Sequence, residues 1–345
     1  MADIFKKILV ASLLAGLIPS VVLGAKKRGK SDSERKEGAS EGADLLWRQP
    51  NDIASRNLFY GPGGEKDAPH STFTFVKEDL NGTNPKFVVR DENGVKWKVK
   101  LGVEARPETV ATRLVWAVGY PADEDYFMPE LRVQGMPRHL HRGQNLVGPD
   151  GSMQNVRLKR YLEGNEKIGD WRWRKNPFSG TRELNGLRVM MALINNWDLK
   201  DANNAVYLSK RSHEKIYLVS DLGASFGTTG RSWTATMGKG NLGSYEHSKF
   251  IGRVTPQYVN FDVPTRPALD IIFKPKDFIE RLEMRWIGKD IPRADVEWIG
   301  QLLAQLSPAQ VQDAFRAAGY QPAEVQAFSK VVEARIAALN DLPRS

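Results

Sequence analysis

The stretch Asp198-Leu199-Lys200-Asp201-Ala202-Asn203 has the spacing D-x-K-x-x-N, and Asp221-Leu222-Gly223 begins eighteen residues after Asn203. Apolar residues at helical spacing from Leu184 to Ile194 precede the first motif and predict a buried helix. Two short runs of strand-forming residues, 205–208 and 216–219, separate the two motifs. The sequence therefore predicts a helix, a polar loop, a hairpin and an acidic turn, in that order.

The residue types in these motifs suit phosphoryl transfer, a reaction that depends on positioning and charge neutralisation more than on covalent chemistry. Asp198 would accept or orient the proton of an acceptor hydroxyl, and Lys200 would balance charge on the moving phosphoryl group. Asn203 and Asp221 would supply the hard oxygen ligands that Mg²⁺ prefers. The cation would bridge the phosphates of a nucleotide. Because a bare D-x-K-x-x-N pattern is weak evidence by itself, its structural context carries the prediction.

The residues before these motifs predict a β-meander followed by a helix. Residues 73–76, 86–90 and 95–100 alternate apolar or β-branched with polar side chains, as strands do. Asp91-Glu92-Asn93-Gly94 joins the second and third strands and is typical of a tight turn between antiparallel neighbours. A helix then begins near Pro107 and ends at Gly119.

Later segments add a hairpin and a helical tail. A turn at 147–151 predicts a strand over 156–161. Ser307-Pro308 and Gln321-Pro322 have the composition of helix starts, and the apolar residues after each recur at helical spacing.

The order and spacing of these features resemble the protein-kinase-like superfamily, whose catalytic loop H-R-D-x-K-x-x-N and metal motif D-F-G match Asp198, Lys200, Asn203 and Asp221. The resemblance is at motif level over residues 73–227 and favours the atypical branches. The segment Leu80-Asn81-Gly82-Thr83-Asn84-Pro85-Lys86 resembles the phosphate loop of HipA-like kinases. It implies that Gly82, Thr83 and Asn84 contact nucleotide phosphates.

A lysine that binds the nucleotide is also implied, and two lysines of one strand are candidates. Lys98 and Lys100 lie two residues apart and therefore on one face of the strand. Val99-Lys100-Leu101-Gly102 resembles the lysine segment of phosphoinositide kinases, which favours Lys100. Glu108 is the expected ion-pair partner, with Glu104 as the second candidate.

The resemblance implies an α+β class with a two-lobed protein-kinase-like fold. Residues 45–163 would form an antiparallel, β-rich N-lobe that binds ATP, and residues 164–345 a mainly helical C-lobe with the catalytic loop. Three positions depart from the pattern. Trp197 replaces the usual arginine, Leu222 replaces the phenylalanine of D-F-G, and Lys200 stands where HipA-like proteins carry histidine.

The amino terminus has the composition of a targeting segment. Lys6 and Lys7 precede an uncharged, mostly apolar run from Ile8 to Leu23, so residues 1–25 are expected to form a signal peptide or, if uncleaved, a membrane anchor. Residues 26–44 are rich in Lys, Arg, Ser, Glu and Gly and are expected to form a disordered linker. The body of the protein is then expected to be exported to the periplasm, the cell envelope or the medium.

Composition excludes several classes of function. The 345-residue chain has no cysteine and only 5 histidines, which excludes thiolate chemistry and makes a zinc centre improbable. Its formal net charge of +9 favours anionic partners without selecting one. Trp171-Arg172-Trp173-Arg174-Lys175 mixes aromatic and basic residues, but buried tryptophans account for it better than a nucleic-acid surface does. There is thus no strong nucleic-acid signal.

The sequence predicts an exported kinase-like phosphotransferase. With ATP and Mg²⁺ as cofactors, it would move the γ-phosphoryl group to a hydroxyl of an unknown protein or small molecule. Two alternatives share the same residues: a pseudokinase-type binding module of the cell envelope and a nucleotidyl transferase. Membrane contact is expected only if the amino-terminal segment is retained.

Overall fold

A computed structural model describes residues 42–81, 84–228, 238–263, 279 and 282–343 of the chain. The expected signal peptide or anchor (1–25) and residues 26–41 of the expected linker lie outside the described residues. The described part has a mixed α+β fold, as predicted. Its division into two lobes at residue 163 stays a prediction.

Five strands close into a barrel in the order β2-β3-β4-β6-β5. Their bounds are Phe73–Glu78 (β2), Lys86–Asp91 (β3), Lys96–Lys100 (β4), Asp125–Gln134 (β5) and Ser152–Arg160 (β6). The predicted meander is confirmed as β2 to β4. The turn at 91–94 is confirmed as well, with Gly94 at φ 84° and its N–H donated to the Asp91 carbonyl at 3.0 Å.

The two faces of the barrel strands differ in chemistry because side chains alternate along a strand. Phe87, Val89, Trp97 and Val99 point into the barrel and form its core with residues of the other strands. On the opposite face of β4 lies Lys100, which pairs in register with Lys86 of β3 and with Arg157 of β6. The outer face therefore presents a row of cations.

The predicted helix after the meander is α1, Ala105–Ala117. It starts two residues earlier than predicted, after a turn in which Gly102 has φ 89°, and the chain leaves it at Gly119 with φ 99°. Nearly all of its side chains are buried, because α1 packs against β5 and β6 on one side and against a tail helix on the other. This packing brings the start of α1 to the row of cations.

The predicted helix before the first motif is α2, Arg182–Leu193, and the side chain of Thr181 caps it by accepting the Leu184 N–H at 3.2 Å. A second sheet has four strands in the order β1-β9-β8-β7. Its strands are Asp44–Leu45 (β1), Asn165–Gly169 (β7), Asn204–Ser209 (β8) and Lys215–Val219 (β9). Strands β8 and β9 are the predicted hairpin. Asp44, the last residue of the expected linker, already pairs with β9.

The rest of the described chain is mainly helical. It comprises α3 (Leu242–Glu246), β10 (Ile251–Val254), β11 (Tyr258–Phe261), β12 (Ile291–Pro292), α4 (Arg293–Leu303), α5 (Pro308–Ala317) and α6 (Pro322–Asn340). The predicted starts of α5 and α6 are confirmed, each with a capping box and a proline in the first turn. A second large core joins α1, α2 and the tail helices. No described helix combines the length and apolar character that crossing a bilayer requires.

Candidate functional site

Lys100, at the end of β4, is the centre of a buried cluster of charges. Its Nζ lies 2.8 Å from Oε2 of Glu104, 2.8 Å from Oε2 of Glu108 and 3.1 Å from Oδ1 of Asp221. Burial alone would lower the pKa of this lysine, but the carboxylates of Glu108, Asp221 and Glu104 raise it well above its usual value. The side chain is therefore a fixed cation that ties β4, the start of α1 and the Asp-Leu-Gly turn together.

Glu108 is held from both sides by cations. Its Oε1 accepts a hydrogen bond from Nη2 of Arg157 at 2.8 Å, while its Oε2 faces Lys100. Arg157 also lies 3.4 Å from Asp125 on β5. Burial raises the pKa of Glu108 to about 7; Arg157 and Lys100 oppose that shift, and the neighbouring carboxylates of Asp221 and Asp125 add to it. Glu108 thus links the helix to two barrel strands.

Asp221 sits where β9 ends and reaches back to the lysine. Its Oδ1 accepts hydrogen bonds from Lys100 at 3.1 Å and from the backbone N–H of Gly223 at 3.2 Å. Burial would raise the pKa of this carboxyl, but Lys100 outweighs burial through its charge and hydrogen bond, and the pKa lies well below the usual value. Asp221 is consequently ionised at neutral pH and available to a cation.

The two sequence motifs meet at Asn203. Its backbone carbonyl accepts the N–H groups of Ser220 at 2.8 Å and Asp221 at 3.1 Å, because the β8–β9 hairpin brings its two outer ends side by side. Its side-chain Nδ2 donates to the Asp198 carbonyl at 2.6 Å. Asp198, Asn203 and Asp221 are therefore neighbours in space, as the motif spacing predicted.

Asp198 and Lys200 belong to the loop that Asn203 closes. The N–H of Asp198 donates to Oδ1 of Asn196 at 2.9 Å, and the carbonyl of Lys200 accepts the Asn203 N–H at 2.9 Å. Both side chains are half-buried. Their position beside Asn203 is compatible with the predicted roles in orienting a hydroxyl and neutralising charge.

Lys98, the other candidate lysine, lies outside the cluster. Its Nζ is 2.9 Å from Oδ2 of Asp79, near the end of β2, and its side chain is 31% exposed. Lys100 is the lysine that the structure places beside Glu108 and Asp221.

The predicted phosphate loop is described only in part, because Gly82 and Thr83 lie outside the described residues. Asn84 does reach the cluster, since its Nδ2 donates to Oε2 of Glu104. Glu104 is thereby contacted by both Asn84 and Lys100.

Sequence reasoning missed Lys239 and Arg157 as parts of the site. Lys239 follows the Asp-Leu-Gly turn in a stretch rich in glycine and serine; its Nζ pairs with Oε1 of Glu104 and lies 5.9 Å from the centre of the Trp197 ring. The position of Arg157 depends on strand register, which a single sequence does not reveal. The only local sequence signal for Lys239 as a site residue is its place in a glycine-rich segment after the Asp-Leu-Gly turn.

Three carboxylates of the cluster lie close enough to share a cation. Oxygens of Glu104, Glu108 and Asp221 all lie within 4.8 Å of one another. The ammonium group of Lys100 contacts all three. Beside the cluster, a cavity of about 750 Å³ opens between the start of α1, the β5–β6 connection and the segment at Lys239.

Comparisons with known proteins include a distant structural similarity. No protein family model and no curated protein matches the chain. Among solved structures, it is similar to the proinflammatory kinase CtkA of Helicobacter pylori, with 10% sequence identity and a TM-score of 0.44 over 79% of this chain and 97% of that chain. A similarity of this degree does not assign the chain to a family.

Proposed function

We propose that this protein is a kinase-like phosphotransferase that uses ATP and Mg²⁺ to phosphorylate a hydroxyl group of a protein or small molecule. The observation that carries the proposal is the position of Lys100, 2.8 Å from a glutamate of α1 and 3.1 Å from Asp221. A lysine held in this way provides one fixed positive charge for nucleotide phosphates, next to a carboxylate suited to a metal ion.

The metal-binding roles fall to Asp221 and Asn203. Asp221 is an ionised carboxylate by the effect of Lys100 on its pKa, and Asn203 contributes an amide oxygen. Nδ2 of Asn203 donates to the Asp198 carbonyl. The other terminal atom of this amide is therefore its oxygen, Oδ1, which can accept a metal ion. This donor set consists of hard oxygen atoms, which suits Mg²⁺. When bound, the ion would neutralise charge on the nucleotide phosphates.

The reacting hydroxyl would be oriented by Asp198, and Lys200 would stabilise the charge on the phosphoryl group in flight. Both residues come from the loop that Asn203 ties to Asp221. Asn84 and, by the family resemblance, Gly82 and Thr83 would contact the phosphates. Glu108 would keep Lys100 in place, because it bonds both Lys100 and Arg157.

Export of the body of the protein is part of the proposal and rests on the composition of residues 1–25. The acceptor would then be a partner in the periplasm, the envelope or the medium, and the membrane would be a partner only for an uncleaved chain. Cell fractionation combined with the mass of the mature protein tests this part. An intact amino terminus in the cytoplasmic fraction would contradict it.

Transfer itself is tested by incubating the protein with Mg²⁺ and ATP labelled at either the γ or the α position, in the presence of a cell extract as a source of acceptors. The expected result is label transfer from γ-labelled ATP only, absent in Asp198→Asn. Label from the α position alone would identify a nucleotidyl transferase. Mg²⁺-ATP binding without transfer of either label would favour a binding module.

A further inference from the structure

The carboxylate of Glu104 lies among three donors that come from separate segments of the chain. Lys100 of β4 approaches its Oε2 at 2.8 Å, Asn84 donates to the same oxygen, and Lys239 pairs with its Oε1. Asn84 belongs to the connection between β2 and β3, and Lys239 to the segment after the Asp-Leu-Gly turn. One anion thus holds together the three segments that border the proposed nucleotide site.

This donor set is the kind that binds phosphate. Two ammonium groups and one amide NH₂ converge on the two oxygens of a single carboxylate, and each forms charge-assisted hydrogen bonds equally well with phosphate oxygens. A further lysine, Lys86, stands opposite Lys100 in the β3–β4 register and is half-buried. A phosphate group carries more charge and more acceptor oxygens than a carboxylate, so it would satisfy these donors better.

Glu104 differs from Glu108 in how it is held. Glu108 is only 1% exposed and bonds Arg157, which belongs to the barrel itself, so its side chain is part of the framework. Glu104 is 6% exposed and precedes the first residue of α1, and two of its partners, Asn84 and Lys239, belong to connecting segments and not to the barrel strands. Displacement of Glu104 would therefore break its contacts to two connecting segments, while Glu108 would still hold Lys100 beside the barrel.

We propose that Asn84, Lys100 and Lys239 form a polyphosphate-binding donor set and that Glu104 occupies it as an internal anion until a phosphate displaces it. Lys239 is thereby assigned as a phosphate-binding residue. The proposal rests on the proposed function for the source of the phosphate, a nucleoside triphosphate. The donor set itself can be tested with inorganic tripolyphosphate.

The direction in which Glu104→Gln changes phosphate affinity distinguishes this proposal from a purely structural role of Glu104. If Glu104 competes with phosphate, Glu104→Gln removes the competing charge and is expected to bind both ATP and tripolyphosphate at least tenfold more tightly than wild type. If Glu104 only supports the site, the same substitution weakens binding or leaves it unchanged, and that result would overturn the proposal. Titration calorimetry with ATP, tripolyphosphate and adenosine, each with Mg²⁺, measures all three affinities.

Lys239→Gln in the Glu104→Gln background tests the donor assignment, with Lys249→Gln as the matched control. Lys249 is an exposed lysine that faces Asp262 at 3.6 Å, away from the cluster. Lys239→Gln is expected to weaken tripolyphosphate binding at least tenfold and Lys249→Gln less than twofold; equal effects would overturn the assignment. If Glu104→Gln does not fold, Lys239→Gln alone is compared with Lys249→Gln in the wild-type background, where the same difference is expected.

Comparing ATP, tripolyphosphate and adenosine distinguishes failure of this inference from failure of the proposed function. Tight binding of tripolyphosphate without binding of ATP would retain the donor set and reject a nucleotide as its source. Binding of ATP with unchanged affinity in Glu104→Gln would retain the proposed function and reject the internal anion. Binding of adenosine alone at the affinity of ATP would reject the phosphate donors.

Discussion

A methyl group added to Gly223 would lie 2.8 Å from Cβ of Glu104, so the Asp-Leu-Gly turn and the start of α1 touch with no space for a side chain between them. This contact explains why glycine follows Leu222. It also places Asp221, two residues earlier, within reach of Lys100.

Gly223→Ala is accordingly expected to push the turn away from α1. Overpacking of this kind lowers the free energy of unfolding by about 1–3 kcal/mol. The affinity for Mg²⁺-ATP should fall at least tenfold, because Asp221 moves with the turn. Thermal unfolding and calorimetry measure the two effects. Gly169→Ala is the control, since an added Cβ there meets nothing within 4 Å; equal behaviour of the two variants would show that the contact has no role.

Lys100→Met should be strongly destabilising, because it leaves three carboxylates near one another without their shared cation. Breaking a buried ion pair from one side costs about 3–5 kcal/mol. Lys98→Met is the matched control on the same strand, where a partly exposed pair with Asp79 contributes about 1 kcal/mol or less. Urea unfolding of both variants checks the difference, and similar losses would argue against a special role for Lys100.

Glu108 should make the free energy of unfolding fall as pH rises. Burial raises the pKa of the Glu108 carboxyl from its ordinary value of 4.5 to about 7 in the folded protein. Between these values the folded protein holds a proton that the unfolded chain has released, so rising pH favours unfolding. The contribution of Glu108 to the free energy of unfolding is fully present below pH 4.5 and is lost as pH rises through 7.

The measurement is the difference in unfolding free energy between wild type and Glu108→Gln, which cannot titrate at this position. From pH 4.5 to 7.5 the wild type should lose on the order of 3 kcal/mol relative to the variant. A constant difference, or a relative gain by the wild type, would show that Glu108 stays ionised throughout.

Arg335 of α6 is expected to position the loop that carries Asp198. It is 5% exposed and donates to the carbonyls of Ala192 and Leu193 at 3.2 and 3.0 Å, at the carboxyl end of α2. Arg335→Met should lower the free energy of unfolding by about 3 kcal/mol, because buried acceptors lose a charged donor. Phosphotransfer should slow while Mg²⁺-ATP affinity changes less than twofold. Arg316→Met, at an exposed arginine paired with Asp313, is the control; equal rates in the two variants would contradict the positioning role.

Local signals account for the parts of the fold that the sequence predicted. The Asn93-Gly94 turn, the serine and glutamine caps of α5 and α6, and the strands β8 and β9 each depend on a few consecutive residues. The same is true of the D-x-K-x-x-N motif, whose asparagine closes its own loop by bonding Asp198.

Long-range pairing accounts for what the sequence did not reveal. Strand β5 closes the barrel by pairing in parallel with β2 and antiparallel with β6, a topology that its own residues do not encode locally. Arg157 reaches Glu108 only because β6 lies beside β4 in a particular register. Glu104 was the second candidate partner of Lys100, and the structure shows that both glutamates contact the lysine.

The central claim is that Asp221, fixed by Asn203 and Lys100, supports binding of a metal-bound nucleotide. Titration calorimetry of ATP with and without Mg²⁺, on wild type and Asp221→Asn, tests it most directly. We expect the wild type to bind one ATP per chain at least tenfold more tightly with Mg²⁺, and Asp221→Asn to lose that dependence on Mg²⁺. Wild-type protein that does not bind ATP, or a variant with undiminished Mg²⁺ dependence, would contradict the claim.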